Sequence, residues 1–234
     1  MNLSIILPSY AEAENLKNII PKIKIVVETG ITKNYEILVI DTMQPVDDTP
    51  FICQSANVRY IPRRGGNNYG DAIRTGIQDA DGRFILIMDA DGSHNPTDII
   101  KLHRKMLKEN GDVIIGSRYI KGGSTSNGLV LRLMSYIVNM TYSKLFDLQI
   151  KDVSDSFRFY RAELLKSIKL QCNNFDIVEE ILIKMKRKYP SIKIFEEPIS
   201  FHKRDKGFSK RNLWKFIVSY IVTIFKLFRI RDNY

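Results

Sequence analysis

Cysteine is scarce: only Cys53 and Cys172 occur in 234 residues. They lie far apart at no metal or redox spacing, which excludes a disulfide framework and a cysteine-built metal site. Free thiols in a reducing compartment are expected. The first apolar run, residues 3–7, is too short for a signal-peptide core, so a cytoplasmic location is expected. The C-terminal apolar stretch, residues 213–228, rises only about 24 Å as a helix, short of the roughly 30 Å of a bilayer's hydrocarbon core. Internal repeats, low-complexity linkers and a clear domain boundary are missing. The Gly65-Gly66 turn lacks the Lys-Ser/Thr ending of a phosphate-cradling P-loop. Acidic residues are in deficit, 26 against 36 Lys and Arg, for a net charge of +10. From Lys184 to Arg211 ten cations face only Glu196, Glu197 and Asp205. Such a block suits anionic partners: phosphates, nucleic acid or a lipid surface.

What is present is an alternation. Apolar runs over residues 4–7, 36–40, 58–61, 83–88, 112–116 and 192–195 predict strands. Helical spacing covers residues 12–28 (with a kink expected at Pro21), 70–80, 96–109 and 175–189. The pattern predicts an α/β fold, a mainly parallel sheet with helices on both faces. Ligands of such sheets bind beyond the carboxyl ends of the strands. Pro8 to Tyr10, Asp41, Asp89 to Asp91, and Ser117-Arg118 are therefore expected to converge on one crevice.

The strand over residues 83–88 ends in Asp89-Ala90-Asp91-Gly92. Carboxylates that close repel unless a cation sits between them, and hard oxygen ligands suit Mg²⁺ or Mn²⁺ together with substrate phosphates. The alternative is an acidic turn whose Asp caps the helix near Pro96. His94 is read as a hydrogen-bonding residue at that helix start rather than a metal ligand. In the apolar segment over residues 129–146, Arg132, Ser135, Asn139 and Ser143 form one helical stripe. This is either a core helix with a solvated edge or, through Arg132 and Ser135, a phosphate site. Lys215, Ser219, Thr223 and Lys226 form a similar stripe on the last segment. One reading is a helix in the membrane interface with its lysines among anionic headgroups; the other is packing on its own domain or a second subunit.

The order of motifs resembles the family 2 glycosyltransferases of GT-A (Rossmann-like) fold, particularly the dolichyl- or polyprenyl-phosphate sugar synthases. Pro8-Ser9-Tyr10-Ala11-Glu12 resembles P-[ST]-Y-N-E, and Ile40-Asp41 the nucleotide-binding strand end. Arg63 with Asn68-Tyr69-Gly70-Asp71-Ala72 resembles R-x-x-K-x-G-L-G-x-A. Met88-Asp89-Ala90-Asp91, followed by His94 and Pro96, is similar to the metal motif, and Gly116-Ser117-Arg118-Tyr119 to G-S-R-Y. Residues 152–160 resemble D-x-T-S-G-F-R-x-Y. Glu197-Pro198-Ile199 and then Arg204, Gly207, Ser209 and Lys210 resemble E-x-P-I and R-x-x-G-x-S-K. The chain departs from the pattern at Ala11, at Thr42 (usually Asp) with a longer loop after it, and at Gly66 (usually Lys). Further departures are Ser93, in place of a longer polar side chain, and Asp155-Ser156, in place of Ser-Gly.

The resemblance implies a catalytic domain over residues 1–211 and a C-terminal amphipathic helix over 212–234. It implies donor contacts from Pro8, Tyr10, Glu12, Val39, Asp41 and Ala90, a metal on Asp89 and Asp91, and phosphate contacts from Arg118, Arg204 and Lys210. The expected reaction is inverting transfer of a hexose from a nucleotide sugar to a polyprenyl phosphate at the cytoplasmic membrane face. Arg118, Arg132 and Ser135 would hold the acceptor phosphate, which is largely anionic at neutral pH and needs no strong base. For a sugar-hydroxyl acceptor the base would be Asp155, whose alternative is an ion pair with Arg158 or Arg161. A distant alternative is a non-catalytic α/β module binding nucleic acid through the basic half, with Phe201, Phe208 and Trp214 interleaved.

Overall fold

In a computed structural model of the chain, residues 1–202 and 222–229 are described. The elements run β1 (Leu3–Pro8), α1 (Ala13–Gly30), β2 (Tyr35–Asp41), α2 (Thr49–Ser55), β3 (Arg59–Pro62), α3 (Tyr69–Asp79), β4 (Phe84–Ile87) and α4 (Asp98–Lys108). They continue with β5 (Val113–Ser117), β6 (Ser124–Thr125), α5 (Leu129–Leu145), β7 (Arg158–Arg161), α6 (Ala162–Lys166), α7 (Ile177–Lys188), β8 (Ile194–Pro198) and β9 (Ser200–Phe201). Seven strands form one sheet in the order β3-β2-β1-β4-β7-β5-β8, and β6 pairs with β9 in a small second sheet.

Strand β1 is buried at every position and pairs in parallel with β2 on one side and β4 on the other. Its side chains alternate between two apolar layers. Leu3, Ile5 and Leu7 join Leu16, Ile20 and Ile23 of α1 and Leu102 and Met106 of α4. Ile6 joins Ala72, Ile73 and Ile77 of α3 and Ile181 and Leu182 of α7 on the opposite face. Each buried Leu or Ile contributes about 1.5–3 kcal/mol. The expected doubly covered parallel sheet is therefore the observed one.

Beyond this frame the structure adds to the expected elements and turns some of them differently. Helix α1 continues through Pro21, where the kink is expected, and Pro21 lies on its exposed side, open to solvent. Helix α2 was not anticipated, although Asp48-Thr49-Pro50 is a helix-start signal; Asp47 accepts the Thr49 N–H and, from α1, the Ala13 N–H. Strand β7 lies antiparallel between β4 and β5. Its arginine-flanked sequence hides the strand, yet Phe159 and Tyr160 are fully buried.

A further difference is the orientation of the two apolar helices. On α5 the polar Asn139 and Ser143 are buried, whereas Leu129, Val130, Leu133 and Ile137 are 80, 62, 58 and 56% exposed. In the helix over residues 222–229, Thr223 is buried and Lys226 pairs with Asp176 at 2.8 Å, while Val222, Phe225 and Phe228 face outward. The expectation that the lysine stripe points toward headgroups is thus corrected for Lys226: Asp176 on the protein body claims its charge. Lys215 and Ser219 lie outside the described residues. The rings of Phe146 and Phe228 meet at 4.8 Å and join the two helices. None of the described helices is long and apolar enough to cross a membrane.

Candidate active site

The carboxyl ends of β1, β2, β4 and β5 share one edge of the sheet, so Pro8, Asp41, Asp89 and Ser117 do converge there. Arg63 bolts part of this edge together. It is buried, and its guanidinium donates to the carbonyls of Asp41 (3.0 Å), Asn67 (3.0 Å), Asn68 (3.2 Å) and Ser9. One fork thus fixes the ends of β1 and β2 against the glycine turn. Gly66 needs its missing side chain: its φ is +152°, and a Cβ would stand 2.7 Å from the Asp71 carboxylate.

On the β1/β2 side, Tyr10 is 65% exposed at the rim and Glu12 accepts from Asn15 Nδ2 at 2.5 Å. Val39 is fully buried beneath α1 and floors the crevice rather than lining it. Asp41 is buried, with Oδ2 accepting from the Tyr60 hydroxyl at 3.4 Å and Oδ1 without a hydrogen-bond partner among the described residues. Burial raises its carboxyl above the ordinary range. Thr42, in place of the second Asp, is buried and closes the next loop by donating to the Gln44 carbonyl (2.6 Å). That loop is tied to the glycine turn through Met43 N–H and Asn67 Oδ1 (2.8 Å).

At the end of β4 the chain turns through Gly92 (φ +80°) and carries Asp89 and Asp91 into the crevice, with Ala90 buried between them. Asp91 Oδ1 accepts the Ser93 N–H at 3.0 Å, and Asp89 Oδ1 accepts from the Tyr69 hydroxyl at 3.3 Å. Burial and the neighbouring Asp91 and Asp155 charges raise Asp89, against His94 and the Ser156 hydroxyl. Among the described residues no third His, Cys, Asp or Glu joins them as a ligand. His94 is committed: Nδ1 accepts the Asp89 N–H (3.3 Å) and Nε2 lies 3.3 Å from Asp155, in keeping with a hydrogen-bonding part. Two carboxylates one residue apart fit Mg²⁺ or Mn²⁺, ions that take one or two protein carboxylates and fill the rest of their shell with phosphate and water oxygens.

Behind the metal loop runs a buried polar chain. Asp155 lies between His94 and Arg118 (3.1 Å), Arg118 makes a two-pronged pair with Asp152 (2.8 and 2.7 Å), and Asp152 reaches Asn139 of α5 (3.3 Å). The expected pairing of Asp155 with Arg158 or Arg161 is not found. Arg158 donates to the carbonyls of Val178 and Val153, and Arg161 pairs with Asp112. Burial alone would raise Asp155, but Arg118 and His94 outweigh it and hold the carboxyl below its usual range. The same carboxylates hold Arg118 firmly charged against its burial. Arg118 is also flanked by the rings of Tyr119 and Phe201 at 5.4 Å each. Ser135 sits beside the Tyr119 hydroxyl, and Arg132 is exposed at the start of α5.

Sequence reading singled out neither Tyr69 nor the Asp152–Asn139 link. Both are contacts between segments distant in the chain, and no local pattern marks them. Arg204 and Lys210 lie outside the described residues. The segment leading to them starts at the metal loop, where His202 N–H donates to the Ser93 carbonyl at 2.9 Å.

With this geometry in place, comparison with known proteins is decisive for the family. The sequence profile described as glycosyl transferase family 2 matches residues 4–169. The chain belongs to that family. It is 33% identical over 238 residues to a dolichol-phosphate mannosyltransferase of Pyrococcus furiosus, covering 98% of this chain and 64% of that protein. It therefore spans less than two thirds of that relative's length. A polyprenol monophosphomannose synthase of Mycolicibacterium smegmatis is 29% identical over 216 residues, covering 88% of this chain and 79% of that protein. The GT-A fold is shared with glucosyl-3-phosphoglycerate synthase of Mycobacterium tuberculosis, solved with Mn²⁺, uridine diphosphate and phosphoglyceric acid. There the TM-score is 0.73 at 18% identity, over 99% of this chain and 80% of that one.

Proposed function

We propose that this family 2 member is an inverting, metal-dependent hexosyltransferase. It moves a sugar from a nucleotide-sugar donor to a polyprenyl phosphate while resting on the inner face of a membrane. The observation that carries the reading is the Asp89/Asp91 pair, set at the end of β4 on the same sheet edge as the buried Asp41 at the end of β2, with β1 between them. The names of the two relatives and the outward apolar faces of α5 and the C-terminal helix favour a lipid acceptor over a nucleic acid. Fields of positive charge along a groove would be needed for the latter.

In this reading Tyr10, Glu12 and Asp41 receive the nucleoside, and Pro8, Val39 and Ala90 shape the floor beneath it. Asp89 and Asp91 hold Mg²⁺ or Mn²⁺, which supplies neutralising charge for the diphosphate leaving group. Arg204 and Lys210 add cationic contacts to the phosphates. Arg132 and Ser135 meet the acceptor phosphate, and Arg118 fixes the wall behind them through Asp152. A phosphate monoester has its second pKa near 6, so the nucleophile arrives deprotonated and the residues serve to align it.

A sugar-hydroxyl acceptor would require a base. Asp155 is poorly suited because it is buried and held below the usual carboxylate range between Arg118 and His94. The test is a donor screen with Mn²⁺ or Mg²⁺, scored for nucleotide release with polyprenyl phosphate or with soluble sugars as acceptor. Release that depends on the lipid phosphate is expected. Release driven equally by soluble sugars, and abolished by Asp155→Asn, would favour the hydroxyl reaction instead.

A further inference from the structure

Asp89 is oriented by groups that the reaction scheme above does not use. The Tyr69 hydroxyl, at the start of α3, lies 3.3 Å from Asp89 Oδ1. The Ser156 hydroxyl, in the segment entering β7, lies beside the Asp89 carboxylate and the Tyr69 hydroxyl. The three groups cluster from residues distant in the chain, 69, 89 and 156, with the Tyr69 hydroxyl as the measured hydrogen bond to the carboxylate. The Tyr69 ring is itself fixed. It stacks on Phe175 with centroids 4.3 Å apart and planes 22° from parallel. The Phe175 segment is pinned to α3 by Gly70 N–H donating to the Asn173 carbonyl (2.7 Å) and by Arg74 donating to the Cys172 carbonyl (2.5 Å). A side chain at residue 70 would meet the Cys172 carbonyl at 2.2 Å, so the close approach is built into the sequence.

Ser93 stands where the resembling motif carries a longer polar side chain. It is fully buried, and its hydroxyl has no hydrogen-bond partner among the described residues. Cation binding then rests on two carboxylates, and the orientation of each carries more of the affinity. Hydroxyls donating to a carboxylate fix its rotamer and leave its remaining lone pairs aimed into the site, which is how outer-shell partners strengthen metal binding. We infer that Tyr69 and Ser156 are positioning residues that clamp Asp89 for Mg²⁺ or Mn²⁺, with Phe175 holding the tyrosine in register. The inference rests on the proposed metal role of Asp89 and Asp91 and deepens it.

The experiment is titration of Mn²⁺ into the full chain, followed by the loss of free-ion electron paramagnetic resonance signal, with nucleoside diphosphate present. Tyr69→Phe and Ser156→Ala are each expected to weaken Mn²⁺ binding about tenfold, within the range for lost outer-shell partners. Ser156→Thr, which keeps a hydroxyl, is expected to stay within about twofold of the parent. Thermal midpoints of all three variants are expected to match the parent, since Tyr69→Phe keeps the stacked ring. Parent-like Mn²⁺ affinity in both Tyr69→Phe and Ser156→Ala would overturn the clamp while leaving the metal site standing. Equal weakening by Ser156→Thr would also overturn it. Failure of the parent to bind Mn²⁺ would instead remove the proposed function and the clamp together.

Discussion

Glu179 on α7 is shut away from water, and burial pushes its carboxyl up to about 8. In an unfolded chain the same group titrates near about 4.3. The folded state therefore holds this proton more tightly, and stability falls as pH rises between those values, with the full loss above the upper one. Glu179→Gln should flatten that slope and raise the thermal midpoint at pH near 8.5 by at least about 3 °C, read from melting curves at several pH values. Arg63 supplies a second test at this scale. Lysine carries the charge but not the fork that spans four carbonyls. Arg63→Lys should raise the KM for the nucleotide sugar about tenfold and change kcat less than about threefold. Steady-state kinetics with varied donor check this. At this scale Asp89 and Asp91 were legible because both belong to one strand end. Tyr69 and Ser156 were not: their meeting with Asp89 depends on how α3, β4 and the entry to β7 are assembled.

Among the elements, α5 reverses the usual amphipathic arrangement of a water-soluble protein, and the helix over residues 222–229 buries Leu227 while turning Val222, Phe225 and Phe228 outward. Their periodicity was readable, and α5 spans Leu129–Leu145 much as the apolar spacing predicts. Which face turns inward was not readable. Asn139 accepts the Val153 and Ser154 N–H groups (3.1 and 3.0 Å), and that demand draws the polar stripe into the protein. Leu129, Val130, Leu133 and Ile137 are left outside as a surface suited to a lipid interface. Replacing Leu133 and Ile137 together by Asp should lower co-sedimentation with anionic vesicles at least about fivefold and leave nucleotide binding unchanged. Retained vesicle binding would count against α5 as a membrane contact. Much of the basic stretch, by contrast, serves the protein itself. Lys184 pairs with Glu180, and Lys186 and Lys188 donate to the Pro190 and Ser167 carbonyls.

At the level of the whole molecule, the parallel sheet and the crevice at its carboxyl edge followed from six apolar runs alternating with helices. Strand β7 escaped because its fully buried Arg158 reads as a surface residue; two backbone carbonyls neutralise that impression only in the assembled fold. Yet the segment entering β7 is what carries Asp152, Asp155 and Ser156 to the metal loop. The buried chain from His94 through Asp155, Arg118 and Asp152 to Asn139 links the crevice to the helix with the exposed apolar face. Asp155→Asn should therefore lower stability, by roughly 3–5 kcal/mol if Arg118 loses a buried partner, and leave residual transfer to a lipid phosphate.

The central claim, that a divalent ion held by Asp89 and Asp91 supports sugar transfer to a lipid phosphate, is tested most directly by organic-phase extraction of radiolabelled sugar. The assay is run with polyprenyl phosphate, a nucleotide sugar and Mn²⁺, using the parent chain and the Asp89→Asn, Asp91→Asn double variant. The parent is expected to label the lipid, to lose that activity to a chelator and to regain it with added Mn²⁺. The double variant is expected to fall at least about a thousandfold, in line with losing several kcal/mol of leaving-group stabilisation. Full, chelator-resistant lipid labelling by the double variant would contradict the claim.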